Sequence, residues 1–85
     1  MYQKGMARSL GTVLHLVDHK MIVRAGKLNV RQVINSPVLT ERKNRVGTVY
    51  DIFGPVARPY VAVKLAAPLS DEEVQRLVQK KVYVL

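Results

Sequence analysis

Two runs of β-forming residues, Val46-Gly47-Thr48-Val49-Tyr50-Asp51-Ile52-Phe53 and Arg58-Pro59-Tyr60-Val61-Ala62-Val63-Lys64-Leu65, flank Gly54-Pro55. Branched and aromatic side chains suit a pleated, half-buried surface, and the glycine-proline pair interrupts a ladder, so the stretch reads as two strands with a punctuated connection. A helix through Gly54, Pro55 and Pro59 would lose hydrogen bonds and clash. Leu10 to Ala25 has the same composition and divides at Asp18-His19. Leu14 and Leu16 are expected on one face there, with Ile22 opposing Met21 and Val23, which predicts a tight β-hairpin. Gly26-Lys27 ends its second strand, since glycine adopts the left-handed conformation that turns often need.

Leu28 to Ser36 fit neither the strand nor the helix period and are expected to connect elements. Asn35-Ser36-Pro37 signals a turn, and Pro37 holds Ser36 extended, so Val38 to Thr40 is expected as a short strand. Glu41-Arg42-Lys43-Asn44-Arg45 reads as a charged loop. After Ala66-Ala67-Pro68, Ser70-Asp71-Glu72-Glu73 opens a helix: Ser70 and Glu73 form the reciprocal pattern of a capping box, and the acidic first turn suits the helix dipole. Val74, Leu77 and Val78 share one face of it. Val82 to Leu85 returns to β composition. The expected fold is all-β, with six short strands closed into a barrel and one short C-terminal helix, because closure removes exposed edges. No internal repeat or low-complexity segment is evident. A single domain over residues 1–85 is expected, with residues 1–8 as a loosely ordered N-terminal arm.

Such a small core has no disulfide to lean on, because the chain contains no cysteine. With four Tyr, one Phe and no Trp, it must be built from aliphatic side chains. No run of about 20 apolar residues predicts a membrane span, nor do the first residues resemble a signal peptide, so a cytoplasmic location is expected. Fourteen Lys and Arg against six Asp and Glu give a formal charge of +8, which attracts polyanions without identifying one.

The candidate chemistry is sparse. His15 and His19 would lie roughly 13 Å apart along a strand, and no third ligand completes a metal site. Glu72 and Glu73 are explained by the helix start, and Ser9, Ser36 and Ser70 lack a partner histidine in any nucleophile motif. There is no phosphate-binding glycine loop. No catalytic residue, cofactor, metal or small-molecule substrate is therefore expected. Between positions 20 and 58 eight basic residues face only Glu41 and Asp51, which suits either direct RNA contact or the solvated face of a ribonucleoprotein subunit. Ile52-Phe53-Gly54-Pro55-Val56 with Pro59-Tyr60 is more telling. It is a stiff, apolar connection that either docks on a partner, losing little entropy, or plugs one end of the barrel with Phe53 and Val56.

Arg45 to Val56, followed by Tyr60-Val61-Ala62-Val63-Lys64, resembles the central motif of the Gar family: an apolar residue, Gly, a variable residue, Val, two mostly polar positions, Ile-Phe-Gly-Pro, and a strand ending in Val-Lys. The resemblance extends to Leu10-Gly11-Thr12-Val13, Asn35-Ser36-Pro37-Val38 and Lys81-Val82-Tyr83-Val84 and so covers nearly the whole chain. It implies a six-stranded barrel of the translation-elongation-factor domain type. It also implies an accessory subunit of the H/ACA ribonucleoprotein, monomeric when free, that binds the catalytic domain of the pseudouridine synthase and aids substrate loading and product release. Guide RNA and the other H/ACA proteins would be indirect partners. No Arg-Gly-Gly tract of the eukaryotic members is present, which implies an archaeal source. The synthase contact is expected at Phe53, Gly54, Pro55, Val56, Pro59 and Tyr60, with Arg45 and Arg58 at its rim. A barrel-type module that binds RNA directly in ribosome maturation is the alternative, and a steep salt dependence of RNA binding would distinguish it. For a small enzyme, a third class, the sequence offers no constellation.

Overall fold

The computed structural model describes residues 8–17, 19–26 and 30–85. The elements are β1 (Arg8–Val17), β2 (Lys20–Ala25), a 3-10 turn (Val30–Val33), β3 (Pro37–Leu39), β4 (Arg45–Phe53), β5 (Tyr60–Leu65), α1 (Asp71–Leu77) and β6 (Lys81–Val84). All paired strands are antiparallel, in the closed order β1-β2-β5-β4-β3-β6. The short β6 closes the ring by pairing with β1 (Arg8 to Val84, Thr12 to Lys81) and with β3 (Leu39 to Tyr83). No strand edge among the described residues is therefore left to template aggregation.

Valine dominates the core: Val13, Val23, Val38, Val49, Val61, Val63, Val82 and Val84 are buried around Leu10 and Met21. Stiff branched side chains suit the narrow lumen of a small barrel, and each fully buried valine is worth about 1.5 kcal/mol. Two glycines let the wall draw tight. A Cβ at Gly11 would run into the Arg24 carbonyl oxygen, and one at Gly47 into the Lys64 carbonyl oxygen.

Those glycines mark an internal two-fold likeness. In the first half Gly11 pairs with Ala25, Thr12 with Arg24 and Val13 with Val23, then Leu14 bulges and His15 meets Ile22. In the second half Gly47 pairs with Leu65, Thr48 with Lys64 and Val49 with Val63, then Tyr50 bulges and Asp51 meets Ala62. The likeness continues beyond the hairpins. The Val13 N–H donates to the Lys80 carbonyl and its carbonyl accepts from Gln79 N–H, just as Val49 donates to Ser36 and accepts from Asn35. Asn35 and Gln79 both take a left-handed φ, 68° and 67°. The 3-10 turn corresponds to α1 and β3 to β6, so each half is strand, strand, helical turn, strand. A repeat is present after all; it escapes the sequence because Gly-Thr-Val is almost all its two halves share in letters.

The bulges also correct the expectation that Leu14 and Leu16 share a face. One extra residue at Leu14 shifts the alternation, so Leu16 packs on the core while Leu14 lines an outer groove. The capping box forms as expected: Glu73 N–H donates to Ser70 Oγ at 3.2 Å, and Ser70 N–H to Glu73 Oε1 at 3.1 Å. Leu77 packs on the core from α1; the Val74 side chain lies outside the described residues, as does most of the expected N-terminal arm, of which Arg8 already belongs to β1. In the segment expected merely to connect, Val33 is fully buried.

Candidate interaction face

Phe53 ends β4 and Tyr60 begins β5, and the two are cross-strand partners. Ile52 and Val61 beside them point into the barrel, so alternation turns Phe53 and Tyr60 outward. Their rings stack with centroids 5.6 Å apart and planes inclined by 28°. On the other side of Tyr60 is its β2 partner Arg24, whose guanidinium lies 5.6 Å from the ring centroid and donates to the hydroxyl at 3.2 Å. Phe53, Tyr60 and Arg24 thus form one layered row across three strands, a preorganised aromatic and cationic surface.

The six residues between Phe53 and Tyr60 are held by local chemistry. Gly54 has φ of 90°, and a Cβ there would lie 2.8 Å from Tyr60 Cδ2. Only glycine combines that conformation with that approach to the ring. The Arg58 N–H donates to the Pro55 carbonyl at 3.2 Å, and the buried Pro59 accepts from Ala25 N–H at 3.0 Å, tying the loop to β2. At the tip Val56 is 98% exposed, and Phe53 is 44% exposed. The plug alternative therefore does not hold: Val56 stands in solvent and Phe53 faces away from the lumen.

Phe53 separates two shallow depressions. One, of about 390 Å³, lies over β1 and β2 between Leu14, His15, Val17 and Ile22. The other, of about 450 Å³, lies against the loop between Ile34, Asp51, Val56 and Pro59. A pair of cations lies further along the same wall, four residues from Arg24 and Tyr60. Lys20 is directly opposite Lys64, a repulsive pairing, and its ammonium lies 4.7 Å from the Tyr50 ring centroid, which offsets part of the repulsion.

Of the residues expected from sequence, Phe53, Gly54, Pro55, Val56, Arg58, Pro59 and Tyr60 are brought together. Arg45 is not. It opens the strand that Phe53 closes, on the order of 25 Å away at the usual strand rise, and there it donates to Thr48 Oγ1 at 3.0 Å. Arg24, Leu14 and Ile22 belong to the face and were not anticipated, because the non-local β2–β5 pairing, with β1 paired to β2, is what places them beside Tyr60. The only sequence signal was that Ile22 alternates out of phase with Met21 and Val23. Among the described residues no group of three or more His, Cys, Asp and Glu could hold a metal ion, and no helix is long and apolar enough to cross a membrane. Shallow apolar depressions around a stacked ring pair suit a protein surface better than a small molecule, which takes a deeper cavity.

Comparison with known proteins agrees with this architecture. The family model described as the Gar1/Naf1 RNA binding region matches residues 7–85. An uncharacterized protein of Methanothermobacter thermautotrophicus is 30% identical over 77 residues, covering 91% of this chain and 82% of its own. An uncharacterized protein of Methanocaldococcus jannaschii is 37% identical over 51 residues, 60% of this chain and 59% of its own. Both relatives are archaeal. The solved structure of the Gar1 domain of Naf1 superposes with a TM-score of 0.72 at 24% identity, over 100% of this chain and 92% of that one, and so shares the fold.

Proposed function

The chain belongs to the Gar1/Naf1 RNA binding region family, and from that premise we propose that it is a non-catalytic accessory subunit of the H/ACA ribonucleoprotein. It docks on the catalytic domain of the pseudouridine synthase through the Phe53–Tyr60 face, in the cytoplasm, and aids substrate loading and product release in rRNA pseudouridylation. The observation that carries this reading is the exposed, stiff, apolar loop at residues 54–59 beside a stacked ring pair. Interfaces concentrate their energy in a few aromatic or apolar anchors surrounded by a polar rim, and a surface already in its bound shape sacrifices little entropy on docking.

A subunit without catalytic groups accelerates its partner by stabilising a conformation or hastening a conformational step. The step we assign to it, as the family resemblance implies, is the resting position of a flexible thumb-like loop of the synthase that grips substrate RNA. Adding this protein to synthase and guide RNA is then expected to raise multiple-turnover pseudouridylation more than single-turnover chemistry. Equal acceleration of both would contradict a role in loading and release.

A further inference from the structure

The two halves of the barrel bury their twin positions unequally. Val46 and Leu10 are twins: each precedes the glycine of its hairpin, and each carbonyl accepts from the residue after the second strand, Ala66 for Val46 and Gly26 for Leu10. Leu77 and Val33 are twins as well, each accepting from the N–H three residues on, Lys80 and Ser36, both at 2.9 Å. Leu10 and Val33 are fully buried. Val46 and Leu77 are only partly buried, and with Ala66, Ala67 and Leu69 they form the apolar floor of a pocket of about 310 Å³ between the β3–β4 turn and α1.

This pocket runs on into an open cleft of about 600 Å³, since Thr40, Asn44, Arg76 and Leu77 line both. Cations border the whole groove: Arg45 and Arg76 beside the floor, and Arg42, Lys80 and Lys81 along the cleft. Of the two carboxylates in its lining, Glu73 is engaged by the Ser70 N–H in the capping box, which leaves Glu41. The fold does not need these charges. Arg45, Arg76, Lys80 and Lys81 have as twins Ser9, Gln32, Ser36 and Pro37, which carry none. The turn that walls the groove is fixed beforehand, with Thr40 N–H bonded to the Asn44 carbonyl at 3.0 Å and Asn44 N–H to Thr40 Oγ1 at 3.3 Å.

We propose that this groove seats an acidic segment of a partner protein, in which carboxylates flank aliphatic side chains. The open floor calls for an aliphatic group that completes the burial its twin positions already have, and the cationic border calls for anions. A nucleic-acid backbone meets only the second demand. Phosphates bring no apolar area, and bases find no stacking platform because the lining contains no aromatic ring. Asn44 selects the same way: its side-chain amide both donates and accepts, and so can pair with a peptide bond. The closed barrel offers no free strand edge among the described residues, so apart from Asn44 the segment is held through its side chains. A second copy of this chain is disfavoured as the occupant, since a charge of +8 repels its like. Arg45 begins β4 and Phe53 ends it, so the groove and the Phe53 face can be filled together. This inference adds a site to the docking reading and does not depend on it.

The test uses two fluorescein-labelled peptides of equal charge, Glu-Glu-Leu-Leu-Glu-Glu and Glu-Glu-Ser-Ser-Glu-Glu, with polyuridylate as the competing probe. The leucine peptide should bind about tenfold more tightly than the serine peptide, as expected when leucine side chains are partly buried. Arg45→Gln with Arg76→Gln should weaken its binding about tenfold, the loss of two partly exposed ion pairs. Lys20→Gln with Lys64→Gln removes the same charge elsewhere and, with distant charges screened, should stay within about threefold of the parent. Circular dichroism establishes that both double variants fold. Amide shifts of the isotope-labelled parent need no substitution, and on adding the leucine peptide they should move at residues 40–46 and 66–77. Equal affinity for the two peptides, equal losses in the two double variants, or no binding of the leucine peptide would overturn the site. Shifts confined to residues 53–60 would overturn it too, as would shifts of the groove amides by polyuridylate but not by the leucine peptide, which would give the groove to a nucleic-acid backbone. Phe53→Ala should leave peptide binding unchanged, so failure of the docking reading is seen separately.

Discussion

The two halves of the barrel share a backbone and differ in what they hang on it. Both hairpins have a glycine pressed against a neighbouring carbonyl and a bulge three residues later, and each is stitched by the same pair of hydrogen bonds to the residues that follow the other half's helical turn. The first hairpin passes from Val17 to Lys20 through two residues, with His19 in the left-handed region at φ of 64°. The second passes from Phe53 to Tyr60 through six, and these carry the exposed Val56. Val17 thus corresponds to Phe53, and Lys20 to Tyr60. A fold that closes one hairpin with a short turn has no structural need for a longer apolar loop on its twin. The departures of the second half from the first, the 54–59 loop and the basic end of α1, are therefore where function is to be sought, whereas the shared positions maintain the barrel.

That division is open to attack from either side. The largest effect is expected at the shared glycines. Gly11→Val and Gly47→Val each drive a branched side chain into a strand carbonyl and should each cost about 3 kcal/mol, measured by urea unfolding. If one were tolerated and the other not, the halves would not be equivalent. A smaller effect is expected at Gly54, which has no twin. Gly54→Ala combines the positive φ with contact against the Tyr60 ring and should cost about 2 kcal/mol. A near-neutral result would mean that the loop relaxes freely and is not preorganised.

Most of the scaffold was legible in the sequence, and what was not has a physical reason. Alternation and proline punctuation placed the β4 and β5 runs within a residue or two, the Asp18-His19 break separated β1 from β2, and Ser70 with Glu73 located α1. The phase of the strands was hidden, because a bulge at Leu14 or Tyr50 looks like any other residue until its partner strand is known. Val33 was missed because a single 3-10 turn has neither period. Within the candidate face, the loop residues were legible because glycine and proline constrain the chain locally. Arg24 and Ile22 were not, since they reach Tyr60 through pairing across nearly forty positions of sequence. Arg45 was misplaced for the opposite reason: neighbours along a strand recede from one another at about 3.3 Å per residue.

The central claim is that Phe53 is the anchor of an interface to which its twin Val17, at the border of the same depression, contributes little. Calorimetric titration of the synthase catalytic domain with Phe53→Ala and with Val17→Ala, each first shown to fold by circular dichroism, tests it most directly. Phe53→Ala should weaken binding by about 2 kcal/mol or more, roughly thirtyfold, as for a central anchor, while Val17→Ala should stay within about threefold of the parent, less than 1 kcal/mol. Unchanged affinity of a folded Phe53→Ala protein, or equal losses from both substitutions, would contradict the account.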